Sequence, residues 1–104
     1  TFKEQNMVKK NFTKSGKHCR VTFKLPKEIK AQKAALCAEF NGWDPNVHLM
    51  RRLKDGGFST TISLQTGKSY RFRYFLDNQR WENDGQADTY TPNVFGSEDS
   101  VVQL

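Results

Sequence analysis

Tyr70-Arg71-Phe72-Arg73-Tyr74-Phe75-Leu76-Asp77-Asn78-Gln79-Arg80-Trp81 carries the pattern that decides the fold. Tyr70, Phe72, Tyr74 and Leu76 recur at every second position, the period of a strand with one buried face. Arg71, Arg73, Phe75 and Asp77 fall on the other face. Asp77-Asn78-Gln79 reads as a tight turn, which leaves Trp81 closing a strand-and-turn unit. The same period occurs upstream, where Phe58, Thr60, Ile62 and Leu64 alternate with Ser59, Thr61 and Ser63. Val21, Phe23 and Leu25 alternate with Arg20, Thr22 and Lys24 until Pro26 stops the strand. Asp55-Gly56-Gly57 is a hairpin signal after a brief strand at 49–53. Residues 34–40 read as a short buried strand, and Val101, Val102 and Leu104 as a last one. Residues 27–33 fit one helical turn or a polar loop equally. Residues 82–99, rich in Asn, Asp, Gly, Gln, Thr and Pro, read as a long loop over one end. Turn signals recur about every eight to twelve residues and no long helical period is present. The expectation is an all-β, immunoglobulin-like β-sandwich of about seven strands.

The chain has 104 residues, enough for one domain with one core and too few for two lobes with a cleft between them. Its net charge is +6, unevenly spread. Residues 1–33 hold ten Lys/Arg and two Asp/Glu, whereas residues 34–104 hold seven basic and nine acidic residues. Residues 1–17 are therefore read as a basic N-terminal segment, a docked strand or a frayed tail, and residues 18–104 as the sandwich. A basic arm suits a polyanion; Lys on an edge strand that discourages sheet-to-sheet pairing is the simpler account. No apolar run reaches membrane-spanning length, no leader-like segment is present, and two cysteines make no disulfide framework. A cytoplasmic setting without membrane contact is expected. His18, Cys19, Cys37 and His48 lack the spacing of a metal site, so neither a metal nor another cofactor is expected.

Phe40-Asn41-Gly42-Trp43-Asp44-Pro45 is the second informative stretch. Asn-Gly and Asp-Pro are turn chemistry, so Trp43 sits in a connection between strands. Two tryptophans in connecting segments of a polar chain invite the question of what they stack on. A flat, rigid indole suits the apolar C–H face of a sugar ring, with polar side chains meeting the hydroxyl rim. Two indoles set at an angle suit a curved α-glucan.

Phe40-Asn41-Gly42-Trp43-Asp44, Leu53-Lys54-Asp55-Gly56-Gly57-Phe58, the Tyr70 to Asp77 run with Trp81, and the run from Asn93 to Val102 occur in order. Together they resemble the family 48 carbohydrate-binding modules, also called isoamylase early-set domains, over roughly four fifths of the chain. Among these the chain is most similar to short bacterial proteins that contain little else. The resemblance implies non-catalytic binding of an α-1,4-linked glucan, whether glycogen, starch or a maltooligosaccharide. It implies stacking by Trp43 and Trp81. Arg73 stands where the family has a lysine that bonds hydroxyls, Phe95 where it has an inserting leucine, and Asp99 where it has an asparagine. Arg73 keeps a planar donor fork, while Asp99 loses the amide donor. Arg80 is an added residue before Trp81.

Each of these residues has a plain structural alternative. Trp43 would pin its loop to the sandwich, and Trp81 would cover an open sandwich edge. Arg73 would pair with Asp77 or Glu82, Phe95 would plug the space under the long loop, and Asp99 would cap a turn. The alternative function is a protein-interaction or regulatory early-set domain that has lost sugar binding, with a glycogen-metabolism enzyme as partner. Nucleic-acid binding through the basic first third is less favoured, because YRFRYF lacks the glycine-containing consensus of aromatic RNA-reading sheets. Asp77, Glu82, Asp84 and Asp88 cluster in sequence, but so small a sandwich offers no deep cleft for paired carboxylates. The chain is read as a binding module, not an enzyme.

Overall fold

The structure, a computed structural model, describes residues 7–104; the first six residues of the basic segment lie outside it. Nine strands are described, β1 (Met7–Phe12), β2 (His18–Leu25), β3 (Ala34–Ala38), β4 (Arg51–Arg52), β5 (Phe58–Gln65), β6 (Ser69–Leu76), β7 (Arg80–Glu82), β8 (Thr89–Pro92) and β9 (Glu98–Gln103). They form two antiparallel sheets packed as a sandwich, ordered β1-β2-β5-β4 and β3-β6-β9-β8, with β7 added beside β6. Without β7 and β8 this is the four-plus-three strand order of a constant-type immunoglobulin sandwich.

The count of about seven strands is thus corrected to nine. Of the two additions, β7 overlaps the start of the region read as loop and β8 lies within it. β7 is only three residues long and is held by β6 through the pairs Phe75↔Trp81 and Leu76↔Arg80. β8 bonds only to β9, so its Pro92 needs no ladder donor on the outer side. Residues 34–40 also end sooner than expected, because Glu39–Asn41 turns into a 3-10 helix after Ala38.

The core lies between the sheets. Val21, Phe23 and Leu25 of β2 and Phe58 of β5 meet Leu36 of β3 and Phe72, Tyr74 and Leu76 of β6, with Val102 of β9. Phe23 and Phe72 pack edge to face at 4.9 Å, and Phe72 and Tyr74 at 5.7 Å, the arrangement aromatic quadrupoles favour. Gly57 closes the β4–β5 hairpin against β2, where a Cβ would lie 2.5 Å from the Leu25 carbonyl oxygen. β1 pairs with β2 from Met7↔Lys24 to Phe12↔Cys19. Cys19 and Cys37 are buried and unbridged. Among the described residues no helix is long and apolar enough to cross a membrane.

Candidate functional site

The alternation along β6 sends Tyr70, Phe72, Tyr74 and Leu76 toward the core, which leaves Arg71, Arg73 and Phe75 on the outer face of the second sheet. β3 flanks β6 on one side, and β7 and β9 on the other. Loops from both sides rise around this outer face and enclose a groove of ≈ 690 Å³. Trp43 enters from the β3 side. Trp81 comes from β7, and Phe95 from the β8–β9 hairpin. Trp43, Arg73, Trp81, Phe95 and Asp99, all singled out in the sequence, line this one groove together with Glu39, Arg71, Asn93 and Val94.

Trp43 is half-buried and held by its backbone. Gly42 and Trp43 both adopt left-handed conformations, with φ of 66° and 62°. For a bulky residue that is a rare and strained geometry. The Asn41 side chain fixes it: Oδ1 accepts the N–H of Ala38 at 2.9 Å and of Trp43 at 3.1 Å. Its Nδ2 donates to the Leu36 carbonyl and meets His48 Nδ1, each at 2.9 Å.

Trp81 is 42% exposed. Its ring lies against Phe75 at 4.5 Å with the planes 34° apart, so Phe75 backs it from the sheet. The Arg73 guanidinium carbon lies 5.6 Å from the Trp81 ring centroid, within cation–π range. Arg73 does not pair with Asp77 or Glu82. Asp77 Oδ1 accepts the amides of Gln32 and Lys33, and Glu82 faces Arg80 at 3.9 Å. The Nε of Arg73 is buried without a hydrogen-bond partner, and no ion pair joins its guanidinium to the described residues. Arg80 donates to the Ile29 carbonyl at 2.9 Å, which ties β7 to the 3-10 turn at Lys27–Ile29.

Phe95 does not plug a loop; it is 87% exposed, and its neighbour Val94 is 92% exposed. Asn93 shapes this tip, its Oδ1 accepting the amides of Phe95 at 2.9 Å and Ser97 at 3.3 Å. Asn93 Nδ2 donates to Asp99 Oδ1 at 3.0 Å, and the other Asp99 oxygen lies 3.8 Å from Arg71. Asp99 is only 5% exposed, so it organises the wall more than it presents acceptors. Glu39 Oε1 accepts the Arg71 backbone N–H at 2.6 Å, just past the point where β3 stops pairing with β6. The groove therefore holds two carboxylates already engaged and one guanidinium that is not.

Sequence reasoning missed Asn41 and Asn93, whose side chains build the two loops, and Glu39, Arg71 and Val94 in the lining. Arg71 was within reach, since it shares the outer face with Arg73 two positions on. The roles of Asn41 and Asn93 depend on bonds to groups several residues away and left no period to read. Cys37 lies opposite Arg73 on β3, fully buried; burial and then the nearby Asp44 push its thiol up to about 11, so it is inert at neutral pH. His48 bonds Asn41, and no three His, Cys, Asp or Glu gather as metal ligands among the described residues. No family model matches the chain, and no curated protein matches it either.

Proposed function

We propose that the groove binds an α-1,4-linked glucan, as glycogen, starch or a maltooligosaccharide, without catalysing a reaction on it. The observation that carries this reading is two indoles and one unpaired guanidinium lining a single open groove. A glucose ring offers a C–H face to each indole and a hydroxyl rim to Arg73, whose fork has no acceptor among the described residues. The groove volume of ≈ 690 Å³ lies in the range of small-molecule sites. The resemblance to family 48 carbohydrate-binding modules supports the same reading through the same residues. Asp99 is almost fully buried and bonded to Asn93, which leaves Glu39 as the one exposed carboxylate in the lining, and hydrolysis of a glycoside needs a facing pair. A shallow, open site predicts weak affinity, roughly tens of micromolar to millimolar.

Titration with maltoheptaose tests it by tryptophan fluorescence. The signal is expected to quench and saturate, and Trp43→Ala and Trp81→Ala each to weaken the sugar by about tenfold or more. An unchanged spectrum at about millimolar sugar removes the reading.

One observation favours a second reading, a protein-interaction domain. Val94 and Phe95 stand almost fully exposed at the groove rim, and Asp99 is withdrawn into the wall. Capture of a glycogen-metabolism enzyme that Phe95→Ala abolishes, with no response to maltoheptaose, would select it.

A further inference from the structure

The outer face of the first sheet gathers cations without a counter-charge. Along β2, Cys19, Val21, Phe23 and Leu25 are buried, so Arg20, Thr22 and Lys24 point outward. The register sets Lys9 of β1 beside Thr22, Ser59 of β5 beside Lys24, and Arg51 of β4 beside Ser59, all on that outward side. Lys9, Arg20 and Arg51 are exposed and Lys24 is half-buried. Among the described residues none of these cations forms an ion pair. No carboxylate occupies an outward position of these strands, which otherwise carry short polar side chains such as Ser59, Thr61 and Ser63.

Protection of sheet edges accounts for part of this face only. β1 and β4 are the edges, so Lys9 and Arg51 discourage pairing with another sheet. β2 is flanked on both sides by β1 and β5, and a cation there protects no edge. Arg20 and Lys24 nevertheless stand on it, and Lys9 lies diagonal to both at about 7–8 Å between backbones. Folding thus brings like charges together at a cost that no partner among the described residues offsets.

We propose that this face docks a nucleic-acid duplex through its phosphates, without reading its sequence. Arg20 and Lys24 are about 13 Å apart along β2, and Arg51 lies two strand spacings, about 10 Å, from Lys24. Cations so far apart do not converge on one small anion, but they suit a ligand that repeats its charge. A duplex carries about eight phosphates over 13 Å of its axis, so each cation meets one in any register. The hydroxyls between the cations are the donors that commonly accompany Lys and Arg on phosphate oxygens. No aromatic side chain occupies an outward position of β2, β4 or β5. That disfavours a single strand, whose bases need stacking platforms, and an acidic polysaccharide, whose rings use the same platforms. The surface lies on the opposite sheet from the groove and is independent of what the groove binds.

Fluorescence anisotropy with a labelled duplex of about 20 base pairs, in two unrelated sequences, tests this at increasing salt. Both sequences are expected to bind within about twofold of each other, with a log–log salt slope of about −3 to −4 from four neutralised phosphates. Arg20→Gln and Lys24→Gln are each expected to weaken binding and to make the slope shallower by about one. Arg20→Lys keeps the charge and is expected to keep the slope. Lys33→Gln, which removes an exposed cation just before β3 of the other sheet, is expected to change neither. Absence of duplex binding at roughly 0.05 M salt overturns the proposal, as does an unchanged slope in both Arg20→Gln and Lys24→Gln. An equal loss in Lys33→Gln overturns it too, because net charge alone would then hold the duplex. Tighter binding of the separated strand, or binding to phosphatidylserine vesicles but not to the duplex, assigns the face to another occupant and overturns it.

Discussion

At Trp43 the backbone and the side chain pull in different directions. The indole lines the groove while φ is 62°, a conformation that costs an L-residue about 1–2 kcal/mol because Cβ crowds the following carbonyl. Trp43→Ala keeps that cost and Trp43→Gly removes it. Both variants should lose the response to maltoheptaose, but Trp43→Gly should unfold at higher denaturant and be more stable than Trp43→Ala by about 1 kcal/mol. Equal midpoints would show that the loop relaxes around the Cβ and stores no strain. Arg73 presents the same opposition in charge. Its buried Nε lacks a partner, so the folded protein gains little from keeping a cation there. Arg73→Met should weaken maltoheptaose while leaving stability within about 0.5 kcal/mol of wild type or above it. A loss well beyond that would mean Arg73 holds the sheet together and is not reserved for a ligand.

Between the elements, β6 is joined to the segment after β7 by one buried polar pair. Tyr74 and Asp84 are both fully buried, and the phenol donates to Asp84 Oδ2 at 2.7 Å. Gln86 N–H donates to Asp84 Oδ1 at 2.7 Å, and the Asp84 N–H meets Ser100 Oγ of β9 at 2.8 Å. Burial raises the Asp84 carboxyl above its ordinary value of 3.8 more strongly than the bonds from Tyr74 and Gln86 lower it. A carboxyl raised in the folded state binds protons there more tightly than in the unfolded chain. Its stabilising effect is therefore full below 3.8 and is lost as pH rises through the raised value. The stability of wild type minus that of Asp84→Asn, from urea unfolding, should shrink as pH climbs from the acid side toward neutrality. A difference that grows with pH would reverse the assignment. Tyr74→Phe should cost about 1–3 kcal/mol, since it leaves a buried carboxyl oxygen without its donor. This element was only half legible in the sequence. Tyr74 stood out because every second residue of β6 is apolar, and such a period survives in any strand with one face in the core. Asp84 looked like one more turn residue, since nothing local distinguishes a carboxylate bonded to a core tyrosine from one in water. Thr89–Pro92 was hidden for a related reason: an edge strand with only one partner needs little apolar alternation.

Across the whole molecule the two outer faces of the sandwich differ in charge. The groove lies on the second sheet, and its Glu39, Asp99, Arg71 and Arg73 balance in number. The outer face of the first sheet carries Lys9 of β1, Arg20 and Lys24 of β2 and Arg51 of β4, beside Thr22, Ser59, Thr61 and Ser63, with no carboxylate among these strand positions. Much of the net charge of +6 therefore sits away from the groove. The sheets are tied at one edge, where Lys10 of β1 meets Asp88 at 2.7 Å and the same carboxylate accepts the Gln103 N–H at 2.7 Å. Lys9, Arg20 and Lys24, part of the basic bias of the first third that is legible in the sequence, thus belong to a different surface from the aromatic pair, which no linear count could reveal because it depends on which sheet each strand joins. Screening should separate the two surfaces. A neutral sugar held by ring stacking and hydrogen bonds should keep its affinity within about twofold between roughly 0.05 and 0.5 M salt, because no net charge is neutralised on binding. A polyanion such as heparin, held by the lysine and arginine face, should lose affinity steeply over the same range through counterion release. The two ligands should not displace each other. Maltoheptaose binding that collapses with salt, or that heparin blocks at low salt, would show that one charged surface serves both and that the groove is not the neutral site its residues describe.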